Sequence, residues 1–147
     1  MGFRAWGKAN GFTRKGTTLR RDQAETIAVV NLQGSQWGGR YYVNVALWLK
    51  VLGDSDPFPF EHQCHLRTRL SHLVPDEREL LELLDMENGI DAGVRAHRLQ
   101  RLLQDNLTPV LRETETIALL REHNYSSRNY WLIRGPAYAL LATDPAT

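Results

Sequence analysis

The densest group of reactive side chains in this sequence is His62-Gln63-Cys64-His65, with His72 a short way beyond. Imidazoles and a thiol at this spacing invite two chemistries, zinc ligation and nucleophilic catalysis by a Cys–His pair. Zinc wants four ligands converging tetrahedrally. On a strand, however, His62 and Cys64 point to one face and His65 to the other, and the chain has a single cysteine. No oxyanion motif or activating helix start accompanies Cys64, which is therefore read as a small buried hydrophobe. No metal and no cofactor is expected. His65 stays as the candidate acid/base, because its ordinary pKa lies in the useful range. A second group, Glu77, Glu79, Glu82 and Asp85, offers paired carboxylates. With Leu80, Leu81, Leu83 and Leu84 carrying the packing, it reads as a solvated acidic helix face. No G-x-S-x-G, P-loop or G-x-G-x-x-G pattern is present, so the sequence leaves open whether the protein is an enzyme.

The remaining chemistry is that of binding. Arginine outnumbers lysine fifteen to three, and residues 1–50 carry eight basic and two acidic side chains, although the whole chain has a net charge of +1. Arg14, Lys15, Arg20, Arg21 and Arg40 form the basic set, with Arg67 and Arg69 alongside. The planar guanidinium fork suits carboxylate or phosphate. The alternative is that these arginines pair with the acidic second half. Trp37, set among Gly, Ser and Gln, is either an exposed interface anchor or the lid of its own sheet.

These residues need elements to position them. Thr17–Arg21, Thr26–Gln33, Arg40–Leu49 and Cys64–Arg69 read as strands, from their β-branched and aromatic content and the turn residues between them. Gly34-Ser-Gln-Trp-Gly-Gly39 joins the second and third as a hairpin. Gly53–Pro59 reads as a loop. Pro75-Asp76-Glu77 opens a helix running to about Asp85. The leucines from Leu99 to Leu111 keep helical spacing, divided at Pro109. Further helices are expected over Glu115–His123 and Arg128–Ala142, the latter broken at Gly135-Pro136. The expected fold is one α+β domain over residues 1–147, strand-rich over 11–70 and helical over 75–143. An antiparallel four-stranded meander packs against C-terminal helices.

Alternation along the hairpin sorts its side chains. With Gln33 opposite Arg40, Ala28, Val30, Leu32, Tyr41, Val43, Val45, Leu47 and Leu49 form an apolar face that belongs under the helices. Ile27, Val29, Asn31, Gln33, Arg40, Tyr42, Asn44, Ala46 and Trp48 form the other. Asparagine is a poor strand former, and two lie mid-strand. Asn31, Gln33 and Asn44 beside Tyr42 and Trp48 suit a shallow polar binding surface with an aromatic platform. The alternative is a solvated sheet face carrying side-chain ladders.

The order Gly11-Phe12-Thr-Arg14-Lys15-Gly16, then Arg20, Val30-Asn31-Leu32-Gln33-Gly-Ser35 and Tyr42-Val43-Asn44-Val45 resembles the bacterial domain-of-unknown-function family numbered 4304. His65-Leu-Arg67-Thr-Arg69-Leu70 and Leu73-Val-Pro75 are similar to its fourth strand and loop. The resemblance covers residues 11–75 best. It implies an amphipathic helix before the Gly-Phe step, of which Phe3, Trp6 and Ala9 are read here as a remnant. The family assigns no activity.

Composition sets the class. Hydrophobic residues make up 42% and charged residues 24%, the balance of a packed globular protein. The longest apolar run, Ala137–Ala142, is far short of a membrane span, and the N-terminus has no apolar signal core. A cytoplasmic location is expected. The leading functional expectation is a non-catalytic module that binds a protein partner, of the immunity or accessory kind by analogy with other small domains. Its binding residues are Asn31, Gln33, Tyr42, Asn44, Arg20, Arg40, Arg67 and Trp37. One alternative is a small enzyme or small-molecule binder whose polar pocket holds an anionic ligand. The other, less favoured, is nucleic-acid binding through the N-terminal arginines, which would weaken steeply with salt.

Overall fold

The structure, a computed structural model, describes residues 2–36 and 38–142. It is α+β. A six-stranded antiparallel sheet runs in sequence order from β1 (Thr13–Lys15) through β2 (Thr18–Asp22), β3 (Thr26–Gly34), β4 (Tyr41–Leu49) and β5 (Leu66–Arg69) to β6 (Leu132–Ile133). The helices are α1 (Phe3–Ala9), α2 (Glu77–Leu83), α3 (Ala92–Asn106), α4 (Thr108–Glu113), α5 (Ile117–Glu122) and α6 (Gly135–Ala142).

The four expected strands are β2 to β5, and the sheet gains a strand at each edge. β1 forms because Gly16 adopts φ 61° and closes a two-residue turn in which Lys15 faces Thr18. β6 corrects the expectation of a helix from Arg128. Leu132 and Ile133 instead pair with Arg67 and Leu66, the Arg134 N–H donates to the His65 carbonyl, and the helix starts only at Gly135. The backbone groups that β5 would leave bare are thereby paired.

The expected hairpin register is corrected by two residues. Gln33 lies opposite Tyr42 and Gly34 opposite Tyr41, because the Ser35 N–H closes the loop on the Arg40 carbonyl. Arg40 itself is drawn to the segment after α2, where it bridges Asp85. The period of a strand is two, so this slip preserves both faces. Ala28, Val30, Val43, Val45, Leu47 and Leu49 are all buried in the main core, with Leu80, Leu83, Leu99, Leu103, Leu107, Leu111 and Leu120 of the helices.

The helical half follows local signals. Asp76 caps α2, its carboxylate accepting from the Glu79 N–H, and Asp91 caps α3 through the Gly93 and Val94 N–H groups. Pro109 sits in the first turn of α4, where its missing N–H costs nothing, so the leucine run divides just before it. The N-terminal helix is present and is no mere remnant. Phe3 and Trp6 are buried in the core, Ala9 is exposed, and the Trp6 indole donates to Thr108 Oγ1 at 3.1 Å. A Cβ on Gly7 would stand 2.7 Å from Leu19 Cδ1, so glycine there lets α1 seat on β2. Among the described residues no helix is long and apolar enough to cross a membrane.

Candidate functional site

The sheet face turned away from the helices divides along its length, and the side chains decide where. Towards the Thr26–Leu49 end it carries Ile27, Val29, Ala46 and Trp48, which are apolar and need cover. Residues 53–65 supply it. Cys64 packs with Ile27, Val29 and Ala46 in a second small core, Trp48 lies against that cluster, and the Trp48 indole donates to the Gly53 carbonyl at 2.8 Å. Towards the hairpin-loop end the same face carries Asn31, Gln33, Tyr42 and Asn44, which need none, and this half opens as a cleft.

The cleft holds about 600 Å³ and is lined by Gln33 and Asn44 from β3 and β4, Arg67 and Arg69 from β5, Glu61 and His72 from flanking turns, and Asn129 and Tyr130. Register explains the convergence. Asn31 lies opposite Asn44, and Asn44 opposite Arg69, so one row crosses three strands on one face. Asn44 is only 6% exposed. Its Nδ2 donates to Gln33 Oε1 at 2.9 Å and to Asn31 Oδ1 at 3.3 Å, and Asn31 Nδ2 donates onward to Thr18 Oγ1 at 3.1 Å. The buried amide thus fixes its two neighbours and leaves the Gln33 NH₂ facing the cleft as a donor.

The cations differ. Arg67 Nε donates to Glu61 Oε2 at 3.0 Å, so one carboxylate balances it. The exposed Arg69 lies with its guanidinium carbon 4.4 Å from the Tyr42 ring centroid. Among the described residues it forms no ion pair, although Glu77 shares a small neighbouring pocket with it. The ring holds the fork in place while leaving its N–H donors free, which is the arrangement an anion needs. Across the cleft His72 stacks on Tyr130, and Thr68 Oγ1 pins the segment by donating to the Tyr130 carbonyl at 2.7 Å.

Of the sequence-derived binding residues, the structure brings Asn31, Gln33, Tyr42, Asn44 and Arg67 together. Arg20 stands on β2 opposite Val29, outside the cleft, and bridges Asp22 at 3.6 Å. Arg40 is turned to Asp85 at 3.9 Å. Arg21 reaches Glu115 at 3.7 Å, so part of the basic N-terminal half is matched by the acidic second half. Trp37 lies outside the described residues. Trp48, expected as the aromatic platform, belongs to the covered half, and Tyr42 and Tyr130 are the rings at the open one. Arg69 was legible from its alternation with Arg67. Asn129 and Tyr130 were not, because their segment reads as helix.

The reactive cluster is taken up by structure. His65 Nδ1 accepts from the Leu49 N–H at 2.9 Å and its ring packs on Trp48, with centroids 4.5 Å apart. Burial, with the Arg134 charge second, lowers its pKa from 6.5, so it is held neutral. Burial and the nearby Glu61 push the Cys64 thiol up to about 12, and its Sγ donates to the Phe60 carbonyl at 3.6 Å. Among the described residues no three His, Cys, Asp or Glu side chains gather as a metal site would require.

The profile of a family described as a domain of unknown function, DUF4304, matches residues 7–113. No curated protein and no solved structure gives a significant match.

Proposed function

The chain belongs to the DUF4304 family, and from that premise we propose that it is a non-catalytic binding module whose polar cleft holds an acidic part of a protein partner. The observation that carries this reading is Arg69, braced on Tyr42 and in no ion pair among the described residues, beside the tethered Gln33 and Asn44. A preordered fork and amide lose little freedom on binding, so their contacts translate into affinity. Tyr and Arg are also the side chains that dominate interface energetics. The exposed Leu132, 68% accessible at the cleft's edge, adds apolar contact beside the polar floor. That His65 and Cys64 are engaged internally supports a binding role over a catalytic one. The immunity or accessory setting rests on analogy alone.

The test is capture of a binding partner by the wild-type protein and by Arg69→Ala and Tyr42→Ala variants shown to be folded. A partner held by the wild type and lost from both variants supports the proposal. A partner retained by both places the interface elsewhere and overturns it.

The second reading, a small anionic ligand, is favoured by the cleft's size. About 600 Å³ lies within the range of small-molecule sites. Saturable binding of citrate that matches or exceeds that of an acidic peptide would favour it.

A further inference from the structure

Among the described residues Glu61 is the one acidic side chain lining the cleft, and it is bound to one of the two arginines there. The segment that carries it is anchored on both sides. The Phe60 N–H donates to Gln63 Oε1 at 3.0 Å, the Cys64 N–H donates to the Glu61 carbonyl at 3.2 Å, and Arg134 Nη2 donates to the His62 carbonyl at 2.9 Å. The backbone at Glu61 is therefore fixed, while its side chain reaches Arg67 through a rotatable stem. Arg67 offers Glu61 only its Nε, and its two Nη groups have no hydrogen-bond partner among the described residues. The Glu61 and Arg67 side chains are 18% and 36% exposed, so water and an incoming group can reach the pair.

We infer that Glu61 is an internal stand-in for a partner's carboxylate, an autoinhibitory contact that holds Arg67 until an acidic side chain replaces it. This rests on the reading of the cleft as the site for an acidic protein segment, and it adds the regulation of that site. Arg69 makes the first contact because nothing has to be displaced. Arg67 joins only when its Glu61 contact is exchanged for an equivalent one. A lone anion at Arg69 therefore binds weakly, whereas a segment with two carboxylates can engage both forks. Arg67 and Arg69 are two apart on β5 and share a face. An extended acidic segment lying over this face along β5 presents alternate side chains at the same repeat.

The experiment uses fluorescence anisotropy with a dye-labelled hexaglutamate peptide at low salt, on four folded proteins: wild type, Glu61→Gln, Arg67→Ala, and the Glu61→Gln/Arg67→Ala double variant. Freeing Arg67 and removing a like charge from the site should tighten binding by Glu61→Gln about three- to tenfold, the scale of a partly exposed ion pair made available to a ligand. Arg67→Ala alone should weaken binding by less than that, and the double variant should lose the gain. A gain that survives in the double variant would mean that Glu61 acts only through general repulsion, and would overturn the inference while leaving the cleft as the site. Equal affinity of wild type and Glu61→Gln would overturn it in the same way. If neither protein binds the peptide, the acidic-segment reading and the inference fall together.

Discussion

Replacing Asn44 with alanine removes the amide that organises the cleft, and its cost can be worked from the structure. The side chain is 6% exposed and makes two donations, one at 2.9 Å to Gln33 and a longer one at 3.3 Å to Asn31. Net contributions of about 0.5–1.5 kcal/mol per neutral hydrogen bond, the longer bond at the low end, sum to about 1–2 kcal/mol. The acceptors left behind are not stranded, since Gln33 is exposed and Asn31 half-buried, and water replaces the lost donor. For a chain of this size that loss lowers Tm by about 3–6 °C. Binding should fall as well, because a released Gln33 must be ordered at a cost of about 0.5–1.5 kcal/mol, about two- to twelvefold in Kd. Urea unfolding of the wild type, Asn44→Ala, Gln33→Ala and the double variant checks the stability half, and hexaglutamate anisotropy on the same proteins checks the binding half. The cycle should give a coupling of about 0.5–1 kcal/mol between the two positions. Strict additivity would refute the claim that Asn44 tethers Gln33.

Other outcomes follow from the same physical reasoning. Arg95, 4% exposed, gives its Nη1 to the Leu83 and Asp85 carbonyls and its Nη2 to Asn88 Oδ1, all at 2.8 Å, closing the C-terminal end of α2; Arg95→Met should cost about 3–5 kcal/mol in urea unfolding, with Arg95→Lys recovering less than half because a point charge cannot fork. His65 has a folded pKa below its ordinary 6.5, so the unfolded chain binds the extra proton first; its contribution is complete above pH 6.5 and is lost as pH falls towards the depressed value, and this part of the stability–pH profile should vanish in His65→Gln. The Cys64 thiol, fully buried and pushed up to about 12, should resist iodoacetamide at pH 8 in the native protein and react promptly in urea.

Much of this was legible because strand alternation is a strict rule. Which residues of 26–49 face the helices, and that Asn31, Gln33, Tyr42 and Asn44 share the other face, follow from period two and survive a two-residue error in register. The helix start at Pro75-Asp76-Glu77 was legible too, and Asp76 is the side-chain cap of α2; the caps at Asp91 and Thr116 emerge only in the structure. What was not legible depended on long-range pairing. β6 is two residues long and exists because β5 offers it an edge, so nothing local to Leu132 and Ile133 announces it. Tyr130 and Asn129 reach the cleft only through that pairing, and the correct aromatic partners of the site were hidden with it. The fate of Trp48 depended on which half of one face residues 53–65 would cover, and the apolar side chains of Ile27, Val29 and Ala46 decide that once the strands are paired. The charge asymmetry was legible, but its partners were not, since Arg21–Glu115 and Arg40–Asp85 join residues far apart in the chain.

The most direct test of the central claim is an amide chemical-shift titration of the wild-type protein with hexaglutamate peptide, repeated on Arg69→Ala. The account predicts saturable shifts concentrated at Gln33, Asn44, Thr68 and Arg69, with the outer face of α3 at His97 and Arg101 unmoved, and loss of those shifts in the variant. Shifts centred instead on Arg4 and Arg14, or an unchanged response in Arg69→Ala, would contradict it.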